Sequence, residues 1–419
     1  MTIPISPGGS GPAGRRSRWA VWTCAPHRVL FLPGVLQLVA AMLFMAWDIG
    51  GRNLGLWAVP AWPVPPAWAH AWLMLYGLFP WFIFGFGLTA VPNWTGVRPR
   101  RAEWLAAGLP MIAGLVLFYA GLFGSRAVLV AGGLVHLAGW LAGTVALTRI
   151  VFTAEARDPQ GVAIVVLLYV GAIGSGGSSL AIALLQADWL ALARDAGLWL
   201  FLLPVFLVVN HRMIPFFSSR VLSGYALYRP AFSLPFLGAA CTAHYLLEGA
   251  SLGEWTWVAD APMAAWVGWL ALKWGLTQSL RARLLAMLHI SLSVLAVALA
   301  FSAVASLAAL AGHPGLFGRG PMHLLTVGYL AAMTFGMVSR VSLGHSGRAL
   351  EADSMTWYGF LALIAVGVAR AAADFAPLGG TARSALLGLA ALAWIAIVAG
   401  WAARFVPVYL APRSDGREG

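Results

Sequence analysis

An all-α integral membrane protein of about twelve transmembrane helices, with both termini in the cytoplasm, is the fold this sequence predicts. Three observations predict it: charge is scarce, apolar runs of membrane-spanning length recur along the whole chain, and Lys and Arg gather in alternate loops. Of 419 residues, 61% are hydrophobic and only 10% charged, whereas soluble domains carry about 25% charged residues. With a mean hydropathy of +0.82, most side chains have lipid rather than water as their solvent. A hydrocarbon core about 30 Å thick needs about 20 apolar residues of helix to cross it.

The elements follow in chain order. Residues 1–18 are rich in Gly, Pro and Ser, so 1–24 is expected to be a disordered cytoplasmic segment. It lacks the apolar stretch and cleavage site of a signal peptide. A single membrane domain is expected over 25–404 and a cytoplasmic tail over 405–419. The first span is 29–47. The second, 68–92, follows Pro65-Pro66, and proline in a first turn sacrifices no hydrogen bond, so its outer start is well defined. Four more follow at 104–124, 127–148, 161–187 and 189–210, the last carrying Arg194 and Asp195 near its start. The seventh and eighth are 231–247 and 258–276, the latter with Asp260 and Lys273. The ninth is 284–311, the tenth opens on Pro321 and runs to 339, and 355–373 and 384–403 complete the set.

Spans six and eight are weak by hydropathy and are retained because the charge pattern requires both. With twelve spans, the side bearing the N-terminus collects 20 of the 26 Lys and Arg, and the other keeps only Arg52, Arg126, Arg194, Arg319, Arg370 and Arg383. Cytoplasmic loops carry such an excess. The formal net charge of +12 therefore reports topology. Nucleic-acid binding is the other usual reading of basicity, but here the charges are dispersed over seven cytoplasmic segments. Gly85, Gly87, Gly174, Gly176 and Gly177 read as sites of close helix packing. Trp57, Trp62, Trp68, Trp104, Trp255, Trp257 and Trp401, near span ends, read as an interfacial belt. Neither Cys24 nor Cys241 is placed for a disulfide.

Ionisable groups within spans are costly and therefore informative. The carboxylates fall nearly all at span ends, which argues against an acid-lined proton or cation path. Five of nine histidines, His70, His136, His244, His289 and His323, fall within spans. His27, His211 and His345 lie on the cytoplasmic rim, where a role in fixing helix ends is expected, and His313 lies in an outer loop. His70 and His323 each sit about one turn into an inward-running helix and so share a depth near the outer face. Two neutral imidazoles at matching depth on separate helices are what a bis-histidine haem requires. The ordinary alternative is a histidine bonded to a carbonyl of a neighbouring helix. Cys241 and His244, at i and i+3, share a helix face, and thiolate with imidazole suits copper or zinc. A structural pair is the competing reading.

Longer motifs narrow the choice. Phe84-Gly-Phe-Gly-Leu-Thr-Ala-Val-Pro-Asn-Trp-Thr-Gly96 and the stretch from His323 through Met337-Val-Ser-Arg-Val-Ser-Leu-Gly-His345 to Arg348 resemble the most characteristic segments of the NnrS family. Ala25-Pro-His-Arg28, His211-Arg-Met-Ile-Pro-Phe-Phe217 and Leu288-His289 match as well. The resemblance spans the chain. It implies a twelve-span bacterial inner-membrane protein containing haem and copper, associated with denitrification and with tolerance of nitric oxide and nitrosative stress. Many members read His-Ala-His-Glu where this chain has Ala69-His70-Ala71-Trp72, which leaves His70 as the one ligand candidate on that helix.

A shorter likeness runs to helix two of haem–copper oxidase catalytic subunits: Ala69-His70-Ala-Trp-Leu-Met74, then Pro80, Gly85-Phe-Gly87 and Val91-Pro92. In that superfamily helices two and ten supply the two ligands of the low-spin haem, which His70 and His323 would match here. The oxidase copper ligands of helices six and seven are mostly missing, His244-Tyr245 being what helix seven offers. The resemblance implies a haem, expected to be b-type, with His70 and His323 as axial ligands; its propionates would then face the periplasmic edge, where Arg319 and Arg383 are the candidate counter-charges. Cys241 and His244 would be the copper candidates. Nitric oxide or a related small molecule is the implied ligand, alongside membrane lipid. The rival readings are a twelve-helix secondary transporter and a non-catalytic assembly or electron-transfer partner of a respiratory complex.

Overall fold

The computed structural model describes residues 17–416, and every regular element among them is helical. Most of the stretch expected to be disordered (1–16, with Arg15 and Arg16), together with Arg417, lies outside the described residues. Ten helices are long and apolar enough to cross a membrane: Pro26–Arg52, Pro66–Thr95, Arg101–Phe123, Arg126–Phe152, Pro159–Leu184, Ala187–Val221, Arg283–Leu310, Gly320–His345, Ser354–Ala372 and Gly380–Leu410. Ser233–Gly249 and Trp257–Lys273, of 17 residues each, stand where spans seven and eight are expected. At 1.5 Å per residue each is about 26 Å long, the short end of what a bilayer accepts.

Polar contacts at the helix ends follow the same alternation. On the inner side Arg28 donates to the carbonyl of Ala411 (2.7 Å), Arg413 to that of His345 (3.0 Å), and Arg404 pairs with Asp353 (3.2 Å). On the outer side the Trp62 indole donates to Asp48 (3.0 Å) and the Ala376 amide to the Leu316 carbonyl (2.8 Å). Each joins residues that a twelve-span count puts on one face, and losing either short span would leave Arg28 and Ala411 on opposite faces. Reporter fusions check the sidedness: those after Arg157 and Arg348 should read cytoplasmic and one near Gly315 periplasmic. The same reading at all three would mean that a span is miscounted.

The structure departs from the sequence reading at several boundaries. Span six continues to Val221 and span twelve to Leu410, each longer than hydropathy alone indicates. Residues Arg18–Trp22 form a short helix inside the segment expected to be disordered. That helix is anchored locally, because the Trp22 indole donates to the Arg28 carbonyl (3.0 Å) and Arg101 bonds the Thr23 hydroxyl.

Spans two and ten are the central helices. In their most apolar stretches 83% and 89% of residues are buried, against 33–61% in the other long spans. Both depart from a regular α-helix. Span two is interrupted between Leu75 and Phe79, and span ten has a wide π-helical turn over Leu324–Ala331, as span six has over Ala196–Leu202. Such turns are frequent at functional sites. The belt reading fails for Trp104 and Trp401, which are 7% and 2% exposed. Their indoles donate inward to the Thr23 carbonyl and the Ser339 hydroxyl. Of the glycines singled out, Gly85 and Gly174 are true contact points: a Cβ there would lie 2.5 Å from Phe31 and 2.4 Å from the Tyr76 hydroxyl. Gly176 and Gly177 have ordinary room. Cys24 and Cys241 are both free.

Candidate functional site

The outer ends of spans two, ten and eleven hold the haem candidates. Pro66 starts span two, and His70 follows one turn later with its Nδ1 buried and without a hydrogen-bond partner. Pro321 starts span ten, and His323 ends the short α-helical turn that precedes the π-turn. His323 Nδ1 donates to the Arg319 carbonyl (3.0 Å) and lies 3.6 Å from an Asp374 oxygen. In a neutral ring that bond leaves the lone pair on Nε2. Through Asp374, His323 shares a cluster with Arg370.

Asp374 organises this region. It pairs with Arg370 (2.9 Å) and Arg383 (3.2 Å), and the loop before span ten lies against it, with a Cβ on Gly318 only 3.2 Å from the Asp374 side chain. The Leu316–Ala376 backbone bond fastens the same loop to the end of span eleven. Arg319, exposed at the start of span ten, is the third guanidinium of the cluster. Sequence reading reaches His70, His323, Arg319 and Arg383 but misses Arg370 and Asp374. Their i, i+4 spacing at the outer end of span eleven was the available signal.

The copper candidates sit in a second region, on spans seven and eight. Cys241 is fully buried, with its thiol 3.8 Å from the Met263 thioether. His244 stacks on Trp199 (3.5 Å between ring centres, 22° between planes). Its Nδ1 lies 2.7 Å from Asp260 Oδ1, and Ser302 donates to the other Asp260 oxygen at 2.7 Å. Asp260 is therefore a fully buried carboxylate in the first turn of span eight, at a span end as expected of the acids. It is tolerated there because both oxygens are satisfied. His244 also lines an outer-face cavity of about 340 Å³, together with Asp195, Glu248, Ser302 and Arg319. Among the described residues no group of three or more His, Cys, Asp or Glu is arranged to hold a metal ion.

The remaining histidines are dispersed. His136 is fully buried against the edges of Trp72 and Trp81, with neither ring nitrogen hydrogen-bonded. His289 meets the Ser218 hydroxyl at 2.9 Å. At the inner rim His27 and His345 lie with ring centres 4.8 Å apart. His211, expected on the rim outside the helix, lies within the extended span six, where Gln160 donates to its Nδ1 (3.3 Å). Compared with known families, the chain matches the one described as NnrS protein over residues 21–413. No curated protein matches it.

Proposed function

The chain belongs to the NnrS family, and on that premise we propose that it is a haem protein of the bacterial inner membrane, acting in the response to nitric oxide and in denitrification-linked metabolism. His70 and His323 are the axial ligands in this reading. The observation that carries it is the pair of histidines at the outer ends of the two most enclosed helices, His70 with a buried, unpartnered Nδ1 and His323 with its Nδ1 held by the Arg319 carbonyl. A haem held by His70 and His323 would supply one-electron transfer.

The chain's own groups suit that role. The Arg319 carbonyl holds Nδ1–H of His323 and so presents Nε2 as the donor, the arrangement that fixes ring orientation at metal-bound histidines. His70 has a buried ring nitrogen with no partner in the protein. Arg319, Arg370 and Arg383 bring three positive charges to a cluster where Asp374 is the carboxylate that pairs with two of them, an excess that favours acidic groups such as haem propionates. For copper, the donors at hand are the Cys241 thiol, the Met263 thioether and the His244 imidazole, a set soft enough for Cu(I). Asp260 would act there as the carboxylate that orients His244.

The transporter reading draws on the interruption of span two and the π-turns of spans six and ten, since discontinuous helices mark many transporter sites. An optical spectrum of the purified protein separates the two. A Soret band that shifts on reduction supports the haem reading. Protein purified from haem-sufficient cells without such a band would exclude it in favour of the rivals.

A further inference from the structure

At the inner ends of spans two, six and ten lies a cavity of about 640 Å³ whose lining includes Arg212, Arg220, Arg229 and Arg340 and no carboxylate. Its walls are aromatic. The Arg340 guanidinium lies 4.1 Å from the centre of the Phe217 ring, and that of Arg212 lies 4.0 Å from Trp94. Arg212 is neutralised by Asp158 from outside the cavity. Arg340 is 8% exposed on the most enclosed span, and among the described residues it has an aromatic ring but no carboxylate as partner. Arg229, in the loop after span six, donates to the Arg212 carbonyl. Its burial and the neighbouring Arg212 charge pull its pKa below the ordinary arginine value. Cations crowded into a partly desolvated pocket repel one another, and an anion relieves that repulsion.

We propose that this pocket binds a phosphate anion, carried on the headgroup of an anionic phospholipid of the cytoplasmic leaflet. Basic pockets between transmembrane helices on the cytoplasmic side take such headgroups. The aromatic walls suit the apolar glycerol and acyl portion that follows the phosphate, which free phosphate would leave uncovered. Arg220, Arg229 and Arg340 supply more donors than one phosphate needs, and Arg340 is the one whose burial makes the missing counter-charge most expensive. The proposal stands apart from the haem reading, because its residues lie at the opposite end of span ten from His323.

Native mass spectrometry of protein purified in mild detergent tests it. The wild type should retain about one phosphatidylglycerol or cardiolipin per chain in preference to phosphatidylcholine. Arg340→Gln should lower that retention at least about tenfold (about 1.4 kcal/mol of binding). If Arg340→Gln fails to fold, the double variant Arg220→Gln/Arg229→Gln, near the mouth of the pocket, should show the same loss. Arg157→Gln, on the same face but outside the pocket, should retain lipid as the wild type does. Thermal unfolding in phosphatidylcholine nanodiscs identifies the source. Stabilisation by added phosphatidylglycerol but not by inorganic phosphate assigns a lipid headgroup. Stabilisation by inorganic phosphate alone, lost in the variants, assigns free phosphate. No anionic preference, or equal retention by wild type and pocket variants, overturns the proposal.

Discussion

Replacing either His70 or His323 with alanine is expected to abolish the haem spectrum or reduce it to a small, strongly shifted remnant. Each substitution removes one of two iron ligands from helices whose positions are otherwise set by packing. Span two is held through Trp72, Tyr76 and Trp81 in the core, and span ten through Tyr329, whose hydroxyl accepts from Asn210 (2.8 Å). The variants should therefore remain folded and membrane-inserted, so that loss of colour reports ligation. His136→Ala should leave the spectrum nearly intact despite its complete burial, because its ring, on span four, packs against Trp72 and Trp81 of span two. His345→Ala should do likewise, since that ring packs on His27 at the inner end of span ten. His244→Ala should lower copper content instead. Unchanged spectra in both His70→Ala and His323→Ala would refute the pairing, and loss of haem from folded His345→Ala would move the cofactor to the inner rim.

A second large effect is expected far from any candidate ligand. Spans three and four meet along Gly114 and Gly121 on one side and Gly132 and Gly139 on the other. A Cβ on Gly132 would lie 2.4 Å from the Phe118 amide nitrogen and 2.7 Å from the Gly114 carbonyl, and one on Gly114 would lie 2.2 Å from the His136 amide nitrogen. These obstacles are backbone, which no rotamer change removes. Small residues allow such approach where lipid provides no hydrophobic drive between helices. Gly132→Leu should therefore force the pair apart and destabilise the fold by more than about 3 kcal/mol, seen as aggregation or a sharp fall in the thermal midpoint in detergent. Gly177→Ala, whose nearest neighbour would be Ala193 at 3.9 Å, is the matched control. Comparable midpoints for the two variants would show that the seam is not what holds spans three and four together.

That the chain is an all-α bundle of membrane-length helices, and where along the chain they fall, was legible without coordinates. Hydropathy and the placement of Lys and Arg are properties of each segment taken alone, and a bilayer acts on each segment in turn. The weak spans show the limit of that logic. Asp260 and Lys273 make span eight look doubtful, yet Asp260 sits buried between His244 and Ser302, partners 16 and 42 residues away in the chain. Family motifs likewise brought out His70 and His323, because the motif and the ligand candidate lie in one stretch of chain.

What the tertiary structure alone decided is which residues meet. Asp374 and Arg370 join the His323 region because the loop before span ten is fastened to the end of span eleven. Trp104 and Trp401 turn inward rather than to the interface, because each finds an acceptor there. Four arginines from span six, the loop after it and span ten gather around one cavity although the sequence scatters them from 212 to 340. Membrane insertion is decided segment by segment, whereas charge pairing and cavity formation depend on which helix faces which. In a bundle where nearly every helix is apolar all round, hydrophobic periodicity carries too little contrast to orient them. Rotation of each helix is set by glycine seams, buried hydrogen bonds and ion pairs, all of which come from other parts of the chain.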